Sequence, residues 1–376
     1  MPAKPLTVMN LISDEGKGGA DILALDISKG LKRRGHTAIF ACPSDCFLNS
    51  AAHAAGLEVY HLDHSGSRDM TPLSAFMTFC KKERVDIVNV HHSHGRHMLI
   101  AAKLRGLGSK AVFTRHCIPG PNIAAIFYNF ILDMNLAVSN TIKKSLIRSG
   151  IWQSKVTTVY GGINIEKFEK VPAEKIEDYR QRYARRGVFT IGMVARLGLA
   201  KGFRTDKPTM KRHEVLFRAL AGLRDPFHLL LLGLHKDRDI DYMKVIAQDN
   251  GLDTEKITCC LFQDDVAPFY KIMDLNVLPS PAEGLGLAII EAMASGVACI
   301  GADSGGIREV ITNGTDGFLF KAGDSEDLAE KIGILRKDRE LRESFILKGK
   351  EKVREKFDIE KTVLETERIF YHLMQK

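Results

Sequence analysis

Short apolar runs recur along the chain with a longer helical pattern after nearly every one, and that alternation leaves few architectures open. The runs at 6–9, 38–41, 58–60, 86–90, 111–114, 136–139 and 156–159 form a first series. Most are apolar throughout rather than at every second residue, as strands are when both faces of a parallel sheet are covered. A helical pattern spans 20–34, and Gly35 and Gly56 each close a helical stretch just before a strand, as C-capping glycines do. Between 166 and 186 the chain turns highly charged and loses strand character. A second series follows at 189–194, 228–232, 257–260, 275–278, 297–300 and 317–320, and the segment from 325 to the end is helical and charged. The expected fold class is α/β, with two facing Rossmann-like doubly wound domains at 1–165 and 166–356. Such sheets bind ligands at the carboxyl ends of their strands, which puts the expected site in a cleft between the domains.

A length of 376 residues suits two domains with full cores. With 45% hydrophobic and 27% charged residues, the chain is neither disordered nor collagen-like. Seven cysteines at 42, 46, 80, 117, 259, 260 and 299, with no CxxC pair, suit free thiols in a reducing compartment. No apolar run reaches the roughly 18 residues that a membrane span needs, and the first residues lack a signal-peptide core. The expected location is therefore cytoplasmic. The apolar segment 123–132 is too short to span and reads as a buried or interfacial helix. Charge is uneven: residues 1–165 carry 19 Lys/Arg against 11 Asp/Glu, and residues 166–376 carry 35 against 35. The first half thus holds the whole net charge of +8 and suggests an anionic partner: a phosphorylated substrate, an inner membrane surface touched peripherally, or nucleic acid.

The densest constellation runs from Leu278 to Gly296 and contains Pro279-Ser280-Pro281-Ala282-Glu283-Gly284-Leu285-Gly286-Leu287 and, further on, Glu291. A buried strand ends at Pro279 and a helix begins near Gly286. Its unpaired amides and dipole make an anion site suited to a diphosphate. Glu291 lies eight residues after Glu283, about 12 Å along a helix, so the two carboxylates could bracket a nucleotide diphosphate sugar. Read alone, the segment is better explained with Glu283 as a dipole partner and Glu291 as a solvated helix residue.

This segment resembles the retaining glycosyltransferases of family 4, which have the GT-B fold and carry a Glu, seven residues and a second Glu in a Pro-Ser-x-x-Glu-Gly-x-Gly setting. The match extends upstream over 264–275 and downstream over Ser304-Gly305-Gly306-Ile307-Arg308-Glu309-Val310 and 313–319. The resemblance implies that Glu283 contacts the donor hexose and Glu291 the donor ribose, with Gly284, Leu285, Gly286 and Leu287 at the diphosphate. The family pairs an Arg at the end of the second domain's first strand with a Lys just before a helix. Arg196 fits the first. Lys201 has the usual spacing, but the helix it should open is displaced by residues 203–210, and distance to that helix favours Lys211.

In the first domain the resemblance places Gly18 and Gly19 over the donor phosphates. The dinucleotide fingerprint itself fails, because Asp21 stands where its third glycine belongs. The run His91-His92-Ser93-His94-Gly95-Arg96-His97 follows a strand and lacks metal-ligand spacing. These histidines therefore read as structural or substrate-facing, and the resemblance implies that His92 and His94 face the acceptor side. The resemblance implies that His116 steers the donor sugar, and Arg115 is a candidate for an anionic acceptor group. Segments 137–141 and 159–168 are similar to the end of the family's first domain, although Gly161 and Asn164 replace its commoner Asn and Asp. Residues 357–371 are similar to its final helix, and 357–376 are expected to return to the first domain.

The expectation is a retaining, metal-independent transferase. It would move a hexosyl-type sugar from a UDP, GDP or ADP sugar, a co-substrate rather than a cofactor, to a glycolipid, lipopolysaccharide-core or other cell-envelope glycan. A GT-B epimerase or phosphorylase is the alternative. A basic nucleic-acid-binding protein is a further one that no recognition helix, aromatic RNA motif or zinc pattern supports.

Overall fold

The computed structural model describes residues 4–13, 18–62, 71–120, 125–197 and 209–375. The chain forms two compact units, one of Met1–Ile163 with Phe357–Lys376 and one of Asn164–Lys356. The first unit runs β1 (Thr7–Leu11), α1 (Gly19–Arg33), β2 (Thr37–Cys42), α2 (Asn49–Ala54), β3 (Glu58–His61), α3 (Thr71–Lys82), β4 (Ile87–Val90), α4 (Ser93–Leu104), β5 (Lys110–Arg115), α5 (Ala125–Ile131), β6 (Met134–Ala137), α6 (Asn140–Arg148) and β7 (Val156–Thr158). The second runs α7 (Ile165–Glu169), α8 (Ala173–Tyr183), β8 (Phe189–Val194), α9 (His213–Ala221), β9 (Phe227–Leu234), α10 (Asp237–Asp249), β10 (Ile257–Leu261), α11 (Ala267–Tyr270), β11 (Leu275–Leu278), α12 (Leu287–Ser295), β12 (Ala298–Ala302), α13 (Ile307–Val310), β13 (Phe318–Phe320), α14 (Ser325–Lys337) and α15 (Arg339–Lys356). The last helix, α16 (Ile359–Met374), belongs to the first unit and packs on α1.

Every strand pair in both sheets is parallel. The first sheet has the order β3-β2-β1-β4-β5-β6-β7 and the second β10-β9-β8-β11-β12-β13. Strand order therefore reverses once in each, between β1 and β4 and between β8 and β11. At such a switch the two following loops diverge and open a crevice at the carboxyl edge.

In the first sheet Met9, Leu11, Ile39, Ala41, Val88, Val90, Ala111 and Phe113 alternate onto one face and build a core with Phe76 and Leu99 from α3 and α4. The other face carries Val8, Phe40 and Ile87, and also the buried polar Asn10, Asn89 and Thr114. None of the seven cysteines is in a disulfide; Cys117 is exposed, Cys259 half-buried and the other five buried. Among the described residues no helix is long and apolar enough to cross a membrane.

The entry edges of the two sheets use one device three times in all, twice in the first sheet and once in the second. An Asp directly before a strand accepts an early amide of the neighbouring strand: Thr7 N–H to Asp86 at 2.8 Å, Ala111 N–H to Asp133 at 2.7 Å and Thr190 N–H to Asp274 at 2.8 Å. Two of these bonds span the switch pairs, β1 with β4 and β8 with β11. Asp274→Ala leaves the Thr190 amide without its acceptor and is expected to cost about 1–3 kcal/mol, read from urea midpoints. Asp274→Asn keeps an acceptor oxygen and is expected to recover most of that loss.

Candidate functional site

In the second unit β8 and β11 flank the switch, and the residues that follow them are the ones with chemistry. Arg196 lies two residues past the end of β8 and is exposed, with no ion pair among the described residues. Glu283 lies in the loop after β11. Its Oε1 is 2.5 Å from Lys211 Nζ, with both side chains largely covered. Lys211 occupies the turn before α9, where Arg212 takes a left-handed φ of 59° as the N-cap. The structure thus brings Lys211 to Glu283; Lys201 lies outside the described residues.

The Glu283 loop is held by a second loop that carries two adjacent glycines. Gly306 N–H donates to Glu283 O at 2.8 Å, and Ser304 Oγ donates to Ser280 O at 3.0 Å. A Cβ on Gly306 would lie 2.2 Å from Gly284 O, and one on Gly305 (φ +51°) 2.5 Å from Glu283 O. Only glycines let these backbones approach so closely. The sequence 304–310 pointed to this segment without pointing to its task, which is to fix the direction of the Glu283 loop. Past Gly284 and Leu285, Gly286 is the N-cap of α12, so the free amides of its first turn, Leu287 onward, face the end of the loop.

Glu291, on α12, sits against α11. Tyr270 Oη donates to its Oε2 at 3.0 Å, and Tyr270 itself is fully buried. Burial pushes the Glu291 carboxyl up to about 7, against the opposing effects of Tyr270 and Lys167.

In the first unit the loops after β1 and β4 flank the switch. Gly18 caps α1, and its N–H donates to Asp21 at 2.8 Å; Gly19 is the first residue of the helix. Residues 15–17 of that turn lie outside the described residues. His92 has both ring nitrogens placed. Nδ1 accepts from Ser13 N–H at 3.1 Å, and Nε2 lies 3.2 Å from Asp21 Oδ1. Since Nδ1 is an acceptor, the ring proton sits on Nε2, facing the carboxylate. His92 therefore ties the ends of β1 and β4 to the start of α1. His94 is exposed on α4.

His116 reaches into a buried chain of polar groups on the β1, β4 and β5 strands. Asn10 Nδ2 donates to Ser28 Oγ at 2.9 Å, Asn89 Nδ2 to Asn10 Oδ1 at 2.9 Å and Thr114 Oγ1 to Asn89 Oδ1 at 2.8 Å. Asn89 Nδ2 also lies 3.1 Å from His91 Nε2, and His91 Nδ1 lies 2.9 Å from His116 Nε2, with the two rings stacked at 5.2 Å. The arrangement that uses both Asn89 protons puts the His91 proton on Nδ1. His116 Nε2 then accepts it, and His116 keeps its own proton on Nδ1. Burial lowers His116 to about 3, helped by His92 and Arg115, and burial holds His91 well below the usual imidazole range too. The pair is uncharged near neutral pH, and His116 can present one N–H donor. The sequence reading missed His91 and its partners; the signal was an asparagine inside each of two otherwise apolar runs, Asn10 and Asn89. Arg115 ends β5 on the opposite face from His116. Among the described residues no group of three His, Cys, Asp or Glu side chains is placed to hold a metal ion.

The family model for glycosyl transferases group 1 matches residues 207–352, and that for glycosyltransferase family 4 matches residues 17–167. The sequence is 26% identical to N-acetyl-alpha-D-glucosaminyl L-malate synthase of Bacillus anthracis over 95% of both chains. A glycosyltransferase from Rickettsia africae ESF-5 is similar in structure, with a TM-score of 0.86 and 23% identity over 100% of both chains. Anabaena Alr3699/HepE, solved with UDP and glucose, gives a TM-score of 0.85 at 20% identity over 98% of this chain and 100% of that one. The chain belongs to glycosyltransferase family 4, and its two parallel sheets form the GT-B fold.

The raised Glu291 carboxyl links stability to pH. The folded chain holds this proton up to about pH 7, whereas an unfolded Glu releases it near pH 4.3. The Glu291 contribution is therefore greatest below the unfolded pKa, falls as pH rises toward 7 and stays low above it. Glu291→Gln is expected to lose less stability than the parent between about pH 5 and about pH 8, as urea midpoints at the two values will report.

Proposed function

We propose that this chain transfers a hexosyl-type sugar from a nucleotide diphosphate sugar to a hydroxyl of a cell-envelope acceptor, with retention of anomeric configuration and without a metal. The observation that carries the reading is the Lys211–Glu283 ion pair, which joins the segment after β8, where Arg196 also lies, to the loop after β11 at the switch. A diphosphate leaving group needs positive charge where its own charge develops. Arg196, Lys211 and the amides of Gly284, Leu285, Gly286 and Leu287 supply it in this reading. As the donor binds, Lys211 exchanges its contact with Glu283 for the phosphate, which frees the carboxylate to accept hydrogen bonds from the hexose hydroxyls. Glu291 takes the ribose hydroxyls. On the first unit Gly18 and Gly19 serve the phosphates and His116 donates from Nδ1 to the sugar, while His92, His94 and Arg115 serve the acceptor side. No carboxylate nucleophile is assigned, so attack proceeds on the same face with help from the leaving phosphate. The UDP and glucose bound to the Anabaena protein support a nucleotide-sugar donor.

A thermal-shift screen with UDP, GDP, ADP and their sugars in EDTA tests the donor. Stabilisation by one nucleotide is expected, and no shift with any of them would count against the reading. Glu283→Ala is expected to lower transfer on the order of 100-fold or more while the bare nucleotide still binds, and Glu291→Ala to weaken the nucleotide. A trapped covalent glycosyl-enzyme adduct would overturn the same-face mechanism.

The first unit is also read as touching an anionic membrane surface at its periphery. Ile126, Phe127 and Phe130 on α5 are exposed at 49%, 65% and 71%, and Trp152, exposed at 47%, stands edge-on to Phe130 at 5.1 Å. Arg148 ends α6 just before this turn, and Lys155 follows it, its Nζ on Leu132 O. Aromatic side chains with basic neighbours suit the interface of an anionic bilayer. Co-sedimentation with phosphatidylglycerol vesicles, and little with phosphatidylcholine, is expected. Replacing Phe127 and Phe130 together by Ser is expected to weaken it about tenfold or more. Equal sedimentation of the variant would refute the contact.

A further inference from the structure

On the face of the first sheet opposite the His91–His116 chain lies a cavity of about 250 Å³, bounded by β5, β6, α4, α5 and α6. Arg96, Arg115, Phe113, Tyr128, Ser93 and Asn135 line it. The Arg96 guanidinium carbon lies 5.2 Å from the Phe113 ring centre and 4.6 Å from that of Tyr128; Arg115 approaches the same Phe113 ring at 5.5 Å. Two guanidinium groups thus share one phenyl ring.

Neither has a carboxylate partner among the described residues, although ion pairs are frequent elsewhere in the chain. Arg115 donates from Nε to Cys117 O at 3.0 Å and from Nη1 to Ser93 Oγ at 3.3 Å, which leaves Nη2 unassigned. The buried Nε of Arg96 has no hydrogen-bond partner. Burial lowers the affinity of both groups for their protons, and for Arg115 the Arg96 charge adds to it. An arginine nevertheless stays charged near neutral pH. Two partly desolvated like charges with no counter-charge are unfavourable in the folded unit. The aromatic faces offset part of that cost, and an anion seated between the two groups would offset the rest while using the free N–H donors.

We propose that this cavity binds a doubly charged oxyanion, a phosphate monoester or a pair of carboxylates, carried by the acceptor of the transfer reaction. Ser93, Tyr128 and Asn135 provide further polar groups at its wall. The part of this inference that concerns the acceptor rests on the transfer reading above; binding of the anion itself does not.

Calorimetric titration of the full chain with inorganic phosphate and with succinate tests the site. Binding of at least one is expected, weakened about tenfold or more in both Arg96→Met and Arg115→Met, since a charge-assisted bond of about 1.5–3 kcal/mol is lost. Arg115→Lys keeps the charge without the fork and is expected to fall between, and far-UV circular dichroism checks that each variant folds. No binding of either anion, or equal binding by parent and folded variants, would overturn the site. Preference for phosphate or succinate tells a phosphate-bearing source from a dicarboxylate one. With a working acceptor, removal of its charged group is expected to raise KM in the parent and to leave Arg115→Met unchanged. If anion binding follows the arginines but the acceptor KM does not, the site serves free anion and the acceptor assignment fails. Anion binding without any sugar transfer would retain the site and refute the transfer reading instead.

Discussion

In an all-parallel sheet every strand enters at one edge and leaves at the other, so the useful edge is only as well defined as the register of the strands that reach it. The entry-edge aspartates fix that register where it matters. Asp86 holds β4 to β1 and Asp274 holds β11 to β8, each carboxylate accepting one backbone N–H at 2.8 Å at the switch pair. Once those pairs are in register, the residues leaving their far ends have little freedom: Ser13 and His92 in one unit, Arg196 and Glu283 in the other. The crevice follows from topology, and the chemistry follows from which residue types stand on either side of it.

Much of this was legible because strands covered on both faces read as unbroken apolar runs. All thirteen strands among the described residues fall on or beside an expected run. β6 differs most. It was expected over 136–139 and spans Met134–Ala137, because buried Asn135, whose amide donates to Lys155 O, breaks the apolar pattern at its start. Ser139, read as strand, instead caps α6 by accepting from Ile142 N–H. The segment expected to be helical throughout from 325 is three helices, broken at Asp338 and again at Phe357 and Asp358.

The candidate site was legible where its residues lie in one short segment and not where tertiary contacts join distant ones. Glu283, Gly286 and Glu291 stand within one loop and helix, so a single stretch of sequence displays them. The Gly305–Gly306 brace, the His91–His116 pair and the two guanidinium groups on Phe113 each need two chain segments to meet. His92 illustrates the limit. The family resemblance marks it as an acceptor-side residue, and in the fold its two nitrogens also face Ser13 and Asp21, a connection between β1, β4 and α1 that no local pattern announces.

The same alternation that hides polar side chains from a sequence reading lets one strand serve two purposes. Along β5, Phe113 and Arg115 face the α4–α5 side, while Thr114 and the following His116 face the buried amide chain. On that second face, burial and hydrogen bonds to neutral partners keep the imidazoles uncharged, so what they offer is a directed N–H. On the first, aromatic rings hold cations that cannot lose their charge. A period of two residues thus separates a neutral donor from a fixed positive charge across one sheet. If the two were on the same side, the arginines would lower the affinity of His116 for its proton still further and draw any anion toward it. Sheet geometry thus sets a neutral imidazole and two fixed charges on opposite faces although the residues responsible are neighbours in sequence, and the Arg115 charge still reaches across to lower the His116 proton affinity.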